Sequence, residues 1–233
     1  MAKSKEEWKV YKNVFSEFSL RTIFKLSSEG HFEELESPIL MGKEANIFTA
    51  RSKNGTVIVK IYRLENCNFN KMYEYIAADP RYNRLPRQKR NIIFSWTQRE
   101  FKNLMIAREA IRVPTPITFK NNIIVMEMIG DGISPAPMVK DGRPKDPKDF
   151  LLRVVDNVIR LWKKGLVHGD LSEFNILNKD EEPVFIDFSQ ATYSKGLKSR
   201  ELLIRDVNNL RRFFKKLMPL SEVDKILKKI ELN

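Results

Sequence analysis

Two β-like runs separated by a short turn are the feature that most constrains the fold of this chain. Residues 45–50 and 56–62 are rich in β-branched and other apolar side chains, and Ser52-Lys53-Asn54-Gly55 lies between them. An Asn-Gly pair between two such runs is the strongest short-range signal for a β-hairpin. We therefore predict an antiparallel hairpin here, and a buried strand over residues 123–128, which ends before Gly130.

The other segments with regular apolar spacing favour helices. Helices are predicted over residues 7–28, 95–110, 147–164 and 199–217, and a short basic helix is predicted after Ser221. The side chains expected on the buried sides of the second and third of these helices are Trp96, Phe101, Leu104, Met105, Phe150, Val154, Val158 and Leu161.

The order of these elements, strands first and helices later, predicts an α+β fold with two lobes and a ligand-binding cleft between them. We expect residues 1–36 to form an N-terminal helical extension, residues 37–128 a mainly antiparallel β N-lobe, and residues 129–233 a reduced helical C-lobe. Residues 63–92 are polar, aromatic and basic, and their prolines interrupt any long helix. We expect a flexible loop with short helical pieces there.

The composition limits the kinds of partner and compartment. Lys and Arg number 42 against 30 Asp and Glu, a formal net charge of +12. Such an excess suits nucleic acid, an anionic membrane surface or phosphate-bearing ligands, and general solubility explains it equally well. The single cysteine cannot form an internal disulfide, and no apolar run reaches the roughly 18 residues of a membrane span. With no signal-peptide core at the N-terminus, we expect a cytoplasmic protein that is not inserted in a membrane.

The strongest local signal for chemistry is an acidic loop between apolar strands. Asp170 and Asn175 are five residues apart, and Asp187 follows in a second apolar run. Phosphoryl transfer needs oxygen ligands for magnesium and a carboxylate near the attacking oxygen. We therefore predict that Asn175 and Asp187 hold the metal and that Asp170 faces the γ-phosphate. The competing interpretation is a tight turn at His168-Gly169-Asp170 and a capped strand end at Asp187.

A lysine at the end of the second run of the hairpin is the next candidate. Lys60 follows Val57-Ile58-Val59, and a lysine that points into a core is costly unless it is paired. A phosphate and a carboxylate would pair it, and we choose Glu100 as the carboxylate, with Glu109 as second choice. The competing interpretation is a solvent-facing lysine on a strand edge.

Several further residues are predicted to bind a nucleotide. The backbone amides and the lysine of residues 42–46 would approach phosphates, although this segment is not glycine-rich. Residues 126–128 would form a hinge whose backbone binds adenine, or else a plain core strand. His168 is expected to brace the loop rather than to act as an acid or base. The complete candidate set is Gly42, Lys43, Glu44, Ala45, Asn46, Ile47, Ile58, Lys60, Met126, Glu127, Met128, Leu177 and Ile186.

With these residues assembled, the chain resembles the RIO family of atypical serine protein kinases. Residues 42–48 are similar to the family's modified phosphate loop, residues 167–175 to its catalytic loop, and residues 186–190 to its metal-binding loop. The resemblance implies a two-lobed protein-kinase-like fold, use of ATP with Mg²⁺ or alternatively Mn²⁺, and serine autophosphorylation. It also implies ATPase activity and a role in maturation of the small ribosomal subunit, where the positive charge suits ribosomal RNA.

The finer motifs resemble the type-one branch of that family. Cys67-Asn68-Phe69, Trp96-Thr97-Gln98-Arg99-Glu100 and Pro135-Ala136-Pro137-Met138 carry this likeness. Too little chain precedes Gly42 for the winged-helix domain of the type-two branch, and the long basic tail of eukaryotic type-one members is missing. We therefore expect a compact, archaeal type-one member that acts as a monomer.

The role of Asp170 stays open, and so do two other functions. As a base Asp170 would orient a serine hydroxyl, whereas as a nucleophile it would become a transient aspartyl phosphate. The chain lacks an Ala-Pro-Glu segment for peptide binding, which favours an ATP-driven switch. The alternatives are a small-molecule phosphotransferase of the aminoglycoside-kinase kind, and a catalytically silent ATP-binding scaffold on ribosomal RNA.

Overall fold

The computed structural model describes residues 15–65, 67–82, 87–196 and 198–230. Contacts divide the chain into two compact units. The first unit contains the described residues up to Phe101 together with Pro116–Met128, and the second contains Lys102–Thr115 and the described residues from Ile129 onwards. None of the helices in this described part has the length and apolar composition that a membrane span requires.

A five-stranded antiparallel sheet forms the centre of the first unit. Its strands lie in the order β1-β2-β3-β5-β4. Their bounds are β1 Glu34–Met41, β2 Ala45–Ser52, β3 Gly55–Tyr62, β4 Pro116–Lys120 and β5 Ile123–Glu127. The predicted hairpin is confirmed as β2 and β3, in which Ser52 pairs with Gly55 across the turn. Gly55 has φ +109°, a conformation that glycine adopts without steric cost. The predicted strand over residues 123–128 is confirmed as β5.

One face of this sheet is apolar and covered by a helix, and the other face carries Lys60. On one face, helix α1 (Glu17–Ser28) packs on strands β2, β3 and β5. The buried apolar residues of this cluster include Ile23, Leu26, Phe48, Val57, Val59, Ile61, Ile123 and Val125. Side chains alternate between the faces of a strand, so Lys60 belongs to the opposite face. The pairings of Ile47 with Lys60 and of Ile58 with Met126 place these residues on that face too.

Two strands of this sheet were not predicted. These strands, β1 and β4, contain Pro38 and Pro116. Both strands lie at the edges of the sheet, where a proline without an N–H group does not cost a ladder hydrogen bond. Within the segment predicted as a flexible loop with short helical pieces, the structure contains helix α2 (Phe69–Ala77). It is held there because Met72 and Ile76 are buried against Trp96 and its neighbours.

Helix α3 (Lys89–Ala107) is longer at its N-terminus and shorter at its C-terminus than the predicted helix over 95–110. Trp96 and Leu104 are buried as expected and Phe101 is half-buried, but Met105 is exposed. The prediction for Met105 was wrong because apolar spacing alone does not show where the buried stripe of a helix ends. Residues 7–14 of the helix predicted over 7–28 lie outside the described residues, and in the described part the helix begins at Glu17, where α1 starts.

Besides the end of α3 from Lys102 onwards, the described part of the second unit contains three whole α-helices: α4 (Pro147–Lys163), α5 (Ser199–Phe214) and α6 (Leu220–Leu227). Helix α4 begins at the Asp146 cap, whose carboxylate accepts hydrogen bonds from the N–H groups of Lys148 and Asp149. The predicted inward residues of α4 are all buried: Phe150, Val154, Val158 and Leu161. Four short strands complete this unit: β6 (Leu166–Val167), β7 (Ile176–Lys179), β8 (Glu182–Phe185) and β9 (Thr192–Tyr193).

Candidate active site

A short hairpin in the second unit brings Asn175 and Asp187 to the same end of two strands. Strands β7 and β8 pair Ile176 with Phe185, and the N–H of Ile186 donates to the carbonyl of Asn175 at 3.0 Å. The side-chain Nδ2 of Asn175 also donates to the backbone carbonyl of Asp170 at 2.8 Å. Residues distant in sequence are thus drawn together by a continuous set of hydrogen bonds.

Asp187 has a strained backbone. Its φ of 61° and ψ of 72° lie in the left-handed region, where a residue other than glycine pays on the order of 1–2 kcal/mol. Its carboxylate accepts a hydrogen bond from the N–H of Ser189 at 3.3 Å and so begins a turn of 3₁₀ helix over Phe188–Gln190. Strain of this kind persists where the surrounding structure over-determines it, often at a functional site.

His168 braces the loop that carries Asp170 through contacts on both of its ring nitrogens. Its side chain is buried, and Nε2 lies 2.9 Å from the carbonyl oxygen of Ile186. The N–H of Asp170 donates to Nδ1 at 3.3 Å. These contacts correspond to a neutral ring that donates from Nε2 and accepts at Nδ1. The geometry agrees with the bracing role expected for His168.

Gly169 is required by the shape of the loop. It has φ +77°, and a Cβ atom added there would lie 2.9 Å from the carbonyl oxygen of Gln190. A side chain at this position would therefore be strained by its backbone conformation and would also collide with the chain that follows Asp187.

A buried carboxylate that the sequence analysis missed supports the backbone on either side of Asp170. Asp206, on helix α5, accepts hydrogen bonds from the N–H groups of Gly169 and Leu171, each at 2.8 Å. Burial raises the pKa of this carboxyl to about 7, against the two hydrogen bonds that lower it. A signal was available: Asp206 interrupts the apolar stripe of α5, between Leu203 and Leu210, and a buried charge needs partners.

The amide of Asn103 fixes the segment after Asp187. Its Nδ2 donates to the carbonyls of Phe188 and Ala191, at 2.9 and 2.8 Å. Asn103 is fully buried, so these bonds are shielded from water and hold the turn that begins at Asp187. Nothing in the local sequence pattern of helix α3 predicted this contact.

In the first unit, Lys60 and Glu100 form the predicted ion pair. Lys60 Nζ lies 2.7 Å from Glu100 Oε1, and their side chains are 7% and 1% exposed. The hydroxyl of Tyr62, which was not predicted, donates to Glu100 Oε2 at 2.5 Å. The solvent-facing alternative for Lys60 was therefore wrong. Glu109, the second-choice partner, pairs with Lys164 instead.

The segment predicted to cover phosphates is a tight turn between β1 and β2. The N–H of Gly42 donates to the carbonyl of Ala45 at 3.0 Å, and a Cβ on Gly42 would lie 2.8 Å from that oxygen. Lys43 and Glu44 are exposed, whereas Ala45 is buried. Asn46 is buried too, but its side chain lies beside Ile61 on the face that α1 covers. Its side chain is therefore on the other face from Lys60.

The remaining nucleotide-binding candidates lie in both units. In the first unit, Ile47, Ile58 and Met126 share the face of Lys60, and Glu127 pairs with Val57 at the end of β5. Met128 is buried. In the second unit, Leu177 and Ile186 pack in one apolar cluster with Ile129, Val184, Ala136 and Met138.

The oxygen donors of Asn175 and Asp187, in the second unit, suit a magnesium ion that is also bound by a nucleotide better than a metal ion bound by protein side chains alone. Across the described residues there is no group of three or more His, Cys, Asp or Glu side chains that could hold a metal ion. Asn175 and Asp187 offer one amide oxygen and one carboxylate. Mg²⁺ is typically bound by one or two carboxylates together with substrate phosphates and water, so this pair fits an ion that arrives with a nucleotide.

These observations define a class of protein. One unit carries an antiparallel sheet with a buried Lys–Glu pair, and the other carries an Asp-x₄-Asn loop followed by a further Asp. This combination in an α+β chain is the pattern of the protein-kinase-like fold.

Comparison with known proteins gives the family. The model of the RIO domain matches residues 46–226. The RIO-type serine/threonine-protein kinase Rio1 of Methanocaldococcus jannaschii is 39% identical over 212 residues, which cover 91% of this chain and 73% of that protein. The Rio1 kinase of Haloferax volcanii is 37% identical over 216 residues, covering 92% and 74%. This chain therefore belongs to the RIO family of serine/threonine protein kinases.

A solved structure supports the same fold. The Rio2 kinase of Chaetomium thermophilum, in its ADP/Mg²⁺-phosphoaspartate complex, is similar with a TM-score of 0.63 at 23% identity, over 88% of this chain and 64% of that chain. At that identity the likeness shows the fold alone. The family predicted from the motifs is confirmed, and the archaeal Rio1 relatives agree with the type-one branch.

Proposed function

We propose that this chain binds ATP with Mg²⁺ and transfers the γ-phosphate by way of Asp170. The observation that carries the proposal is the pair of hydrogen bonds that link Asn175 to Asp170 and to Ile186, the residue before Asp187. Asn175 and Asp187 would hold the ion through their side-chain oxygens. Bound there, Mg²⁺ would neutralise phosphate charge during transfer.

Lys60 and Glu100 would position the nucleotide. In protein kinases a strand lysine contacts the phosphates while a helix glutamate orients it, and the short Lys60–Glu100 bond has this form. Tyr62 holds the second oxygen of Glu100, so the carboxylate has little freedom to turn away. Ile47, Ile58 and Met126, on the same face as Lys60, would contact the adenine.

Asp170 has two chemical routes. As a base, its carboxylate would take the proton of a serine hydroxyl while that oxygen bonds to phosphorus and ADP leaves with the electron pair. As a nucleophile, a carboxylate oxygen would itself form the bond to phosphorus, and water would later release inorganic phosphate and a proton. The phosphoaspartate complex of the Chaetomium thermophilum Rio2 kinase supports the second route as the one to test first.

The physiological task that we propose is maturation of the small ribosomal subunit in the cytoplasm, with serine autophosphorylation as an accompanying activity. The support is family membership and the net charge of +12, which favours contact with ribosomal RNA. If the charge acts in this way, binding of the chain to ribosomal RNA should weaken steeply as the salt concentration rises, because binding through phosphates does so.

The proposal is tested by ATP turnover, with and without purified pre-ribosomal particles, and by the chemistry of the phosphoprotein formed. A serine phosphate survives acid and hydroxylamine, whereas an aspartyl phosphate is released by hydroxylamine. We expect Asp170→Ala and Asp187→Ala to lower turnover roughly 100-fold or more. The matched control is Asp156→Ala, which removes an exposed carboxylate on α4. Wild-type turnover in Asp170→Ala would overturn the proposal.

A further inference from the structure

The carboxylate of Asp170 is contacted by two side chains that belong to neither the catalytic loop nor the metal pair. Gln190 Nε2 donates to Asp170 Oδ2 at 3.0 Å. Arg205 Nη2 lies 4.0 Å from Asp170 Oδ1 and donates to Gln190 Oε1 at 3.3 Å. We call Gln190 and Arg205 the carboxylate clamp. Each lies beside a different carboxylate oxygen of Asp170, and a hydrogen bond joins the two side chains.

Both residues of the clamp are held by well-anchored elements. Gln190 ends the 3₁₀ turn that starts at Asp187, and the amide of Asn103 binds the carbonyls on either side of it. Arg205 precedes Asp206 on α5, and Asp206 binds the backbone on both sides of Asp170. Helix α5, which supports the loop through Asp206, thus also directs the Arg205 guanidinium at the Asp170 carboxylate.

Stability does not explain this arrangement. The side chains of Arg205 and Asp170 are 40% and 44% exposed, and an ion pair with that much water around it contributes about 0–1 kcal/mol. The same exposure leaves the carboxylate accessible to a reacting group. A guanidinium beside an accessible carboxylate also offers several donors in a plane, a geometry that matches phosphate oxygens.

We propose that the carboxylate clamp positions Asp170 for attack and then binds the phosphoryl group that Asp170 receives. This inference rests on the proposed function and specifies one route for it. When an oxygen of Asp170 bonds to the γ-phosphorus, the bond from that phosphorus to the β,γ-bridging oxygen breaks and ADP takes the electron pair. The doubly charged phosphoryl group then stands on Asp170, and Arg205 supplies the countercharge while Gln190 keeps its bond to the other carboxylate oxygen.

The test measures the hydroxylamine-sensitive phosphoprotein formed from radiolabelled ATP in a single turnover, using the full chain. Arg205→Ala should lower its yield roughly tenfold, since a charge-assisted contact is lost, and Gln190→Ala should lower it less. Arg205→Lys should retain part of the yield. Added guanidinium ions should restore part of it to Arg205→Ala, because the site is accessible to solvent. Affinity for a fluorescent ATP analogue and the thermal midpoint should stay at wild-type values.

The control variant is Arg212→Ala, which removes an exposed arginine near the end of the same helix. If wild type is labelled and Arg205→Ala is labelled equally, the clamp is refuted while the proposed function stands. The clamp is also refuted if Arg205→Ala loses the label and neither the Arg205→Lys substitution nor added guanidinium ions retain or restore any of it, because a structural defect would behave in this way. A wild-type protein that turns over ATP without any hydroxylamine-sensitive label refutes the aspartyl-phosphate route together with the clamp. Absence of turnover refutes the proposed function itself.

Discussion

The two charged centres of the molecule differ in their exposure to water. Lys60 and Glu100 are almost fully buried, and the Tyr62 hydroxyl holds the remaining oxygen. Asp170 and Arg205 are each close to half exposed. A buried pair must stay intact for the fold to tolerate its charges, whereas an exposed pair can change partners at little cost. These environments suit the first centre to remain fixed and the second to take part in the reaction that we propose.

The largest effect on stability is expected from breaking the buried pair. Glu100→Ala leaves the Lys60 ammonium in a dry site without its carboxylate, which should cost about 3–5 kcal/mol in the free energy of unfolding. Urea denaturation measures it. Glu109→Ala, which removes an exposed partner of Lys164, is the control and should cost no more than about 1 kcal/mol. Equal losses in the two variants would contradict the distinction drawn between buried and exposed pairs.

The second effect is a pH dependence caused by Asp206. Its pKa is raised to about 7 by burial, so between about pH 4 and 7 the folded protein binds a proton that the unfolded chain has released. The stability that this proton contributes is present at low pH and is lost as pH rises through 7. Compared with Asp206→Asn, wild type should therefore lose roughly 2 kcal/mol of unfolding free energy between pH 5 and pH 8.

Urea denaturation at a series of pH values measures this shift. Asp156→Asn, an exposed carboxylate on α4, is the matched control. A difference between wild type and Asp206→Asn that does not vary with pH would show that Asp206 stays ionised throughout.

The third effect concerns the loop backbone. Gly169→Ala places a Cβ 2.9 Å from the carbonyl of Gln190 at a residue with φ +77°. We expect a loss of about 1–3 kcal/mol and a larger fall in ATP turnover, because the loop that carries Asp170 must move. Gly30→Ala offers a comparison: φ is also positive, at +83°, but nothing lies within 4 Å of the added Cβ. Similar turnover in both variants would argue against a close fit at Gly169.

The smallest effect on stability should accompany complete loss of activity. Asp187→Gly relieves the left-handed backbone of Asp187 but loses the hydrogen bond from Ser189. These changes oppose each other, so the free energy of unfolding should move by less than about 1 kcal/mol. ATP turnover should nevertheless disappear with the carboxylate. Retained turnover would remove Asp187 from the metal site that we propose.

Some of these features could be read from sequence because they depend on near neighbours. The β2–β3 hairpin follows from its turn, and helix α4 follows from its apolar spacing. The Lys60–Glu100 pairing joins distant segments, but a lysine at the end of a β-branched run needs a carboxylate, and the helix predicted over residues 95–110 offers only Glu100 and Glu109. The loop around Asp170 was recognisable because its spacing suits phosphoryl transfer.

Other features depended on contacts that no local pattern specifies. The edge positions of β1 and β4 explain why strands containing Pro38 and Pro116 are tolerated. The burial of α2 depends on residues of α3, and the polar composition of its own segment does not indicate that contact. Asn103 binds carbonyls far along the chain, and its identity gives no indication of which ones.

The sequence by itself determined the family, the hairpin, the main helices of the second unit and the candidate phosphotransfer residues, because spacing and residue chemistry are encoded locally. Only the tertiary structure decided what surrounds those residues. It placed the Asn46 side chain on the face opposite Lys60, set Asp206 against the backbone on either side of Asp170, and brought Gln190 and Arg205 to the Asp170 carboxylate. The reason is physical: a charged group acts through what lies within a few ångströms, and folding, not chain order, selects those neighbours.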